Sequence, residues 1–169
     1  MHRLTKILRS RGAPPPRPSL AHAAASWLGA ATAIAAVAWL GEATGMPWLM
    51  APFGASAVIV FGLPDSPLAQ PRAVIGGHLI SAAVGLIFLS LFPVAWWSLA
   101  LAVASAVVLM QLTRTTHPPA GANPLVVMLT GAGWSFLATP VLAGAVMIVV
   151  VALACNNLAP GRRYPLWWA

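Results

Sequence analysis

Acidic side chains are almost missing from this sequence: Glu42 and Asp65 are its only carboxylates in 169 residues. They fall in separate connecting stretches, and neither has a second acid nearby. That disfavours a two-carboxylate hydrolase, a carboxylate-rich metal site and an acidic proton relay. Cysteine is scarcer still. Cys155 is the single one; it lies inside an apolar run with no partner for a disulfide or a thiolate cluster, so redox and iron–sulfur chemistry have no foundation. Also absent are a Gly-x-x-x-x-Gly-Lys phosphate loop, a dinucleotide fingerprint and a paired-histidine zinc motif. The residues therefore point away from an enzyme and call for no cofactor and no metal. Charged residues make up 7% of the chain against 60% hydrophobic, too few to cover a soluble domain with water-compatible surface.

Apolar length is what the chain has instead. Residues 19–40, 73–94, 98–112 and 139–155 each approach the roughly 20 residues that cross a hydrocarbon core of about 30 Å. They lack the polar–apolar alternation of membrane strands, which predicts an all-α polytopic membrane protein. The net charge of +7 is unevenly placed, because five of the nine Lys and Arg residues precede Ser19, beside Pro14, Pro15, Pro16 and Pro18. Residues 1–18 thus read as a basic, Pro-rich cytoplasmic arm that sets topology and contacts anionic lipid, not as a nucleic-acid binder. The apolar run that follows exceeds a signal-peptide core and reads as the first anchor. The transmembrane domain then covers residues 19–157, and residues 158–169 form a cytoplasmic tail.

Two shorter apolar runs lie between the long ones, each opened by proline and glycine. Ala51-Pro52-Phe53-Gly54-Ala55-Ser56 leads to Leu63, and His117-Pro118-Pro119-Ala120-Gly121-Ala122-Asn123 leads to Leu129. A dozen helical residues reach only about two-thirds of the way across the apolar core, so these are short or broken helices. They match each other at Pro52 and Pro119, Gly54 and Gly121, Ala55 and Ala122, Ser56 and Asn123, and Val60 and Val127. The match implies two repeats, about 19–93 and 94–157. If both short segments cross the membrane there are six traverses, and the N-terminal arm, Arg72, Arg114 and Arg162-Arg163 share one side. If both are re-entrant there are four full spans, and Arg72 and Arg114 face outward. Clustering of positive charge favours six. Three traverses per repeat make the halves inverted relative to each other, a plan found in transporters.

Most small residues have structural readings. Gly77, Ser81 and Gly85 are four apart and offer a face for close helix approach. Trp96, Trp97, Trp134, Trp167 and Trp168 lie near span ends, where indole anchors at the lipid interface. The stretch from Arg114 to Pro124 stands apart because it sets polar side chains at a helix start. A helix that begins inside a membrane leaves amides unpaired and carries a partial positive charge, so both short-helix starts are candidate anion sites. Gly54, Ala55, Ser56, Thr116, His117, Gly121, Ala122 and Asn123 are the candidate site residues, with Ser56 and Asn123 as matched hydrogen-bonding side chains. His78, inside a long span, is a candidate pathway residue. Arg72 and Arg114 would supply charge at a cytoplasmic entrance or pair with Asp65.

The motif His117-Pro118-Pro119-Ala120-Gly121-Ala122-Asn123-Pro124 resembles the signature of the HPP family of integral membrane proteins. Ala51-Pro52-Phe53-Gly54-Ala55-Ser56, Gln70-Pro71-Arg72 and Gly76-Gly77-His78 resemble that family's other blocks. The family is usually described as four-spanning, and its plastid and cyanobacterial members are associated with nitrite transport. The resemblance therefore implies a transporter or channel for a small inorganic anion, nitrite foremost, in a bacterial inner membrane with both termini cytoplasmic. Membrane lipids and a second copy of the chain are the other expected partners. A cation or proton conductor using His78 and His117, or a non-transporting scaffold or sensor subunit, are the alternatives.

Overall fold

The computed structural model describes residues 13–168, which form helices and connecting segments with no strand among them. Helix α1, Leu20–Thr44, starts where the Ser19 hydroxyl accepts the His22 amide at 3.1 Å and stops at Gly45, whose φ of 66° suits a residue without a Cβ. Helix α2, Ala51–Gly62, opens with a proline in its first turn, and α3, Pro71–Leu91, begins on one. Helix α4 covers Trp96–Leu112. The second short segment runs through a tight 3-10 turn, Pro118–Ala122, before becoming helix α5, Asn123–Thr130. A 3-10 turn at Trp134–Leu137 and a wide turn at Ala138–Leu142 lead into α6, Ala143–Leu158.

Three helical stretches are long and apolar enough to cross a membrane: Leu20–Thr44, Pro71–Leu91 and Trp134–Leu158. Ala51–Gly62 and Trp96–Leu112 are shorter apolar helices. All four expected long runs thus lie on α1, α3, α4 and α6, with ends displaced by a few residues. The one local departure is at His117, where an α-helix was expected to start. Pro118, Pro119 and Pro124 have no amide hydrogen to give, so regular α geometry is delayed to Asn123.

Neither short segment doubles back. Helix α2 runs antiparallel to α1, since the Phe61 ring fills the space left by Gly29 while His22 lies against Gly62. It runs parallel to α6, with Phe53 against Gly144 and Val60 bonded to Asn156. The second segment runs parallel to α3. Thr115 meets Gly76, His117 meets Gly77, and Pro124 and Val127 meet Gly85. Gly77 and Gly85 thus form the close-approach face that their spacing predicts, and the Ser81 hydroxyl between them donates to the Ala120 carbonyl. The beginning of α1, the ends of α2 and α6, the 63–70 loop and the beginning of α3 gather at one end of the bundle, stitched by Arg162 and Tyr164. Arg72 donates to the Thr113 carbonyl at 3.0 Å, which brings the end of α4 and the neighbouring Arg114 to the same end.

The core is apolar and small-residue rich: Phe53, Phe61, Val60, Val74, Val127 and Ile148 are fully or almost fully buried around Ala33, Ala57 and Ala145. Trp96, Trp134, Trp167 and Trp168 are exposed, and Trp97 packs on Phe92 with ring centroids 5.7 Å apart.

An added Cβ at Gly77 would lie 2.7 Å from the Thr115 carbonyl oxygen and 2.8 Å from the His117 Cβ, whereas one at Gly54 would meet nothing within 4 Å. Gly77→Ala is therefore expected to cost about 1–3 kcal/mol through overpacking against backbone, and Gly54→Ala to be close to neutral. Thermal unfolding in one detergent compares them, and equal melting temperatures would mean that the α3 groove yields without cost.

Candidate functional site: a buried polar chain where the short segments meet

Ser56 lies one turn inside α2, His78 two turns into α3, His117 just before the 3-10 turn and Asn123 at the first residue of α5. All four are completely buried. The Ser56 Oγ sits 2.8 Å from His78 Nε2 and 2.8 Å from His117 Nε2. His117 Nδ1 is 2.8 Å from the Leu68 carbonyl, and Asn123 Nδ2 is 3.0 Å from both His78 Nδ1 and the His78 carbonyl.

These contacts fix the direction of donation. A carbonyl only accepts, so His117 carries its proton on Nδ1 and a neutral ring accepts at Nε2. Ser56 Oγ, which also lies 3.1 Å from the Pro52 carbonyl, satisfies that nitrogen by donating to His117, and with its single hydrogen so committed it accepts from His78 Nε2–H. His78 Nδ1 in turn accepts from Asn123, whose second amide hydrogen goes to the His78 carbonyl. The order Asn123 → His78 → Ser56 → His117 → Leu68 carbonyl satisfies every ring nitrogen with both histidines neutral. No carboxylate takes part. The Phe53 ring meets the His78 ring edge-on at 5.2 Å, and the two imidazoles are 5.1 Å apart, also edge-on.

The arrangement places the predicted residues unequally. Ser56, His78, His117 and Asn123, spread over 68 positions of sequence, meet in one chain, but their polar atoms bond to one another. Ser56 lies inside α2 and away from its first amides. Gly54 and Ala55 are on the exposed side of α2, while Thr116, Gly121 and Ala122 are half-buried. The starts of the two short segments do share a groove, of about 610 Å³, but its lining from Ala51, Pro52 and Ala55 to Pro118, Pro119 and Ala122 is apolar. Arg72 and Arg114 are exposed neighbours. Burial lowers the pKa of the Arg162 guanidinium, and the Asp65 carboxylate opposes that by favouring its charged form.

Sequence reasoning missed three contributors. Ser81 read as a packing residue. The Leu68 carbonyl is invisible in sequence, since any residue carries one. Arg162 read as a topogenic charge in a tail, yet it donates to the Phe61 carbonyl and Asn156 Oδ1 at 3.0 Å each, to the His22 carbonyl at 2.7 Å and to Ser26 Oγ at 2.8 Å. Ser56 and His117 also have the separation of a serine–base pair. However, Ser56 is fully buried with His78 on the same oxygen, and the carboxylate position of a hydrolase triad is taken by the Leu68 carbonyl.

The segment that supplies His117 and Asn123 lies within a longer match: the family model for the transmembrane region of HPP proteins aligns with residues 15–165. The chain belongs to the HPP family. A transmembrane protein of Dictyostelium discoideum is 41% identical over 169 aligned residues, covering 91% of this chain and 58% of that protein. A second transmembrane protein of the same organism is 39% identical over 133, covering 72% and 42% respectively. This HPP chain spans about half the length of the curated relatives it matches. No solved structure matches it. It is an integral membrane protein, and its HPP motif is the segment that carries His117 and Asn123 into the buried chain.

Ser56→Ala removes the one group that both accepts from His78 and donates to His117. It leaves a buried donor and a buried acceptor unpaired, an expected loss of about 1–3 kcal/mol for each orphaned group. A melting temperature unchanged from the parent would show that water replaces the hydroxyl at no cost.

Proposed function

We propose that this HPP protein is a transporter or channel for a small inorganic anion, with nitrite the leading candidate, and not an enzyme. The reading is carried by one observation: two short, proline-opened segments run oppositely through an apolar bundle and meet around a chain of uncharged polar side chains. Broken helices beside polar groups at mid-bundle are a recurring plan for solute sites in membrane carriers. A solute that drew the Ser56 hydroxyl out from between the imidazoles would find two convergent donors, Ser56 Oγ–H and His78 Nε2–H, as an anion requires.

Two inverted repeats accord with the packing. Each short segment lies parallel to the long helix that closes the other repeat, α2 along α6 and the His117–Asn123 segment along α3, and each repeat's last helix packs on the other's first. Six traverses then put Arg17, Arg72, Arg114, Arg162 and Arg163 at one end, which the positive-inside rule assigns to the cytoplasm together with both termini. A bacterial inner membrane, surrounding lipid and a homo-oligomer complete the reading. A second reading, proton conduction, draws on the unbroken donor order through His78, Ser56 and His117.

Purified protein in liposomes tests both. Nitrite influx above that of nitrate, formate and chloride is the expected result, lost in Asn123→Leu because removing a hydrogen bond that supports a charged ligand costs about 1.5–3 kcal/mol, or at least tenfold in affinity. Proton current without nitrite flux would favour conduction, and liposomes tight to every ion would favour a scaffold or sensor.

Topology has its own test in a Cys155→Ser background. Ser66→Cys and Thr113→Cys are expected to react with an impermeant thiol reagent from the cytoplasmic side. Labelling of both from the opposite side would overturn the proposed orientation.

A further inference from the structure

The Leu68 carbonyl that orients His117 belongs to a loop tethered both from within and from the C-terminal segment. Within residues 64–70, the Leu68 amide donates to Ser66 Oγ at 3.2 Å, and the fully buried Gln70 side chain donates to the Pro64 and Ser66 carbonyls at 2.9 and 3.0 Å. The remaining tethers come from the other end of the chain. Tyr164 Oη donates to the Ala69 carbonyl at 2.9 Å, and the Leu166 amide donates to Gln70 Oε1 at 2.8 Å. Tyr164 is itself almost fully buried, and it is fixed to α6 by two bonds with Asn157, one from its own amide to Asn157 Oδ1 at 3.1 Å and one from Asn157 Nδ2 to its carbonyl. Burial raises the pKa of the Tyr164 hydroxyl above its ordinary value, so it remains a donor.

We propose that residues 162–166 act on the buried polar chain from a distance: Tyr164 and Gln70 are positioning residues that clamp the 64–70 loop, hold the Leu68 carbonyl against His117 Nδ1–H, and so set the His117 tautomer and the direction of donation through Ser56 and His78. The argument is one of hydrogen-bond bookkeeping. The Ser56 hydroxyl can turn toward either ring, and His78 Nδ1 can either accept from Asn123 Nδ2 or donate to Asn123 Oδ1, 3.3 Å away, so these links run in either sense. The link from His117 to Leu68 cannot, because a carbonyl has no hydrogen to give. Loosening that carbonyl removes the constraint that orders the rest. His117 then exchanges its proton between the two nitrogens, Ser56 can accept from both rings, and its hydroxyl hydrogen returns to the Pro52 carbonyl, already 3.1 Å away. The C-terminal segment thereby acts through the loop on the site without touching it.

The consequence for transport rests on the anion-path reading; the tautomer itself does not. Site-resolved nitrogen-15 NMR of the full chain in lipid bilayers reads it directly, with no solute present. The expected parent spectrum has His117 protonated at Nδ1 and bare at Nε2, and His78 the reverse. Tyr164→Phe keeps the ring packing and removes one hydrogen bond. It should raise the Nε2-protonated fraction of His117 about fivefold, the ratio that the loss of one ordinary hydrogen bond produces. Gln70→Leu, which removes three, should raise it further. Arg163→Gln, an exposed neighbour in the same segment, should leave it unchanged. A His117 that stays wholly Nδ1-protonated in Tyr164→Phe overturns the proposal, as does an equal shift in Arg163→Gln. Should Gln70→Leu fail to reconstitute, Tyr164→Phe decides alone. A tautomer shift with undiminished nitrite flux would establish the clamp while removing the histidine chain from the anion path.

Discussion

In a lipid-facing bundle every polar group withdrawn from water must find its partner inside the protein, and the rest of this structure follows from how that demand is met. Short segments sharpen it. Helix α2 ends among other helices, leaving its last carbonyls without intrahelical donors. Asn156 supplies Val60, Arg162 and Ser26 supply Phe61, and His22 supplies Gly62. Those side chains come from α1, α6 and the C-terminal segment, so satisfying one helix end determines how four parts of the chain are arranged. In the second segment, Pro124 brings no amide to the Ala120 carbonyl, and Ser81 on α3 donates to it instead. Proline thus creates vacancies that only tertiary neighbours can fill.

Close approach makes such partnerships geometrically possible. Gly77 and Gly85 let the backbone of the His117 segment lie directly on α3, and Gly29 and Gly144 admit the rings of Phe61 and Phe53 against α1 and α6. Without a hydrophobic force between helices in lipid, packing of this kind and interhelical hydrogen bonds provide the cohesion. The same contacts deliver Ser56 and His117 to within hydrogen-bonding distance, so helix packing and site geometry are not separable here.

The resulting polar chain is neutral, complete and directional. Neutrality suits its surroundings, because a buried charge with no counter-ion would carry a large desolvation cost, and the only two carboxylates of the sequence lie elsewhere. Completeness means that a solute must displace an existing bond, which couples entry to rearrangement of Ser56. Directionality originates at one backbone carbonyl, and that carbonyl is held by residues almost a hundred positions away.

Much of this protein was legible from sequence. Apolar length and missing charge determined a membrane chain, and the absence of polar–apolar alternation in those runs made it helical rather than a barrel of strands. Proline and glycine marked both short segments, and four of the named site residues do converge. Their mutual bonding could not be read, since Ser56 and His117 are 61 positions apart and a hydrogen bond between them depends on the relative translation of two segments. Nor could the roles of Arg162 and Tyr164, which in composition look like an ordinary basic, aromatic membrane flank. Residue type sets which atoms can donate or accept; only the tertiary structure decided which pairs come within 3 Å, because that distance is the sum of many packing contacts and belongs to no single stretch of chain.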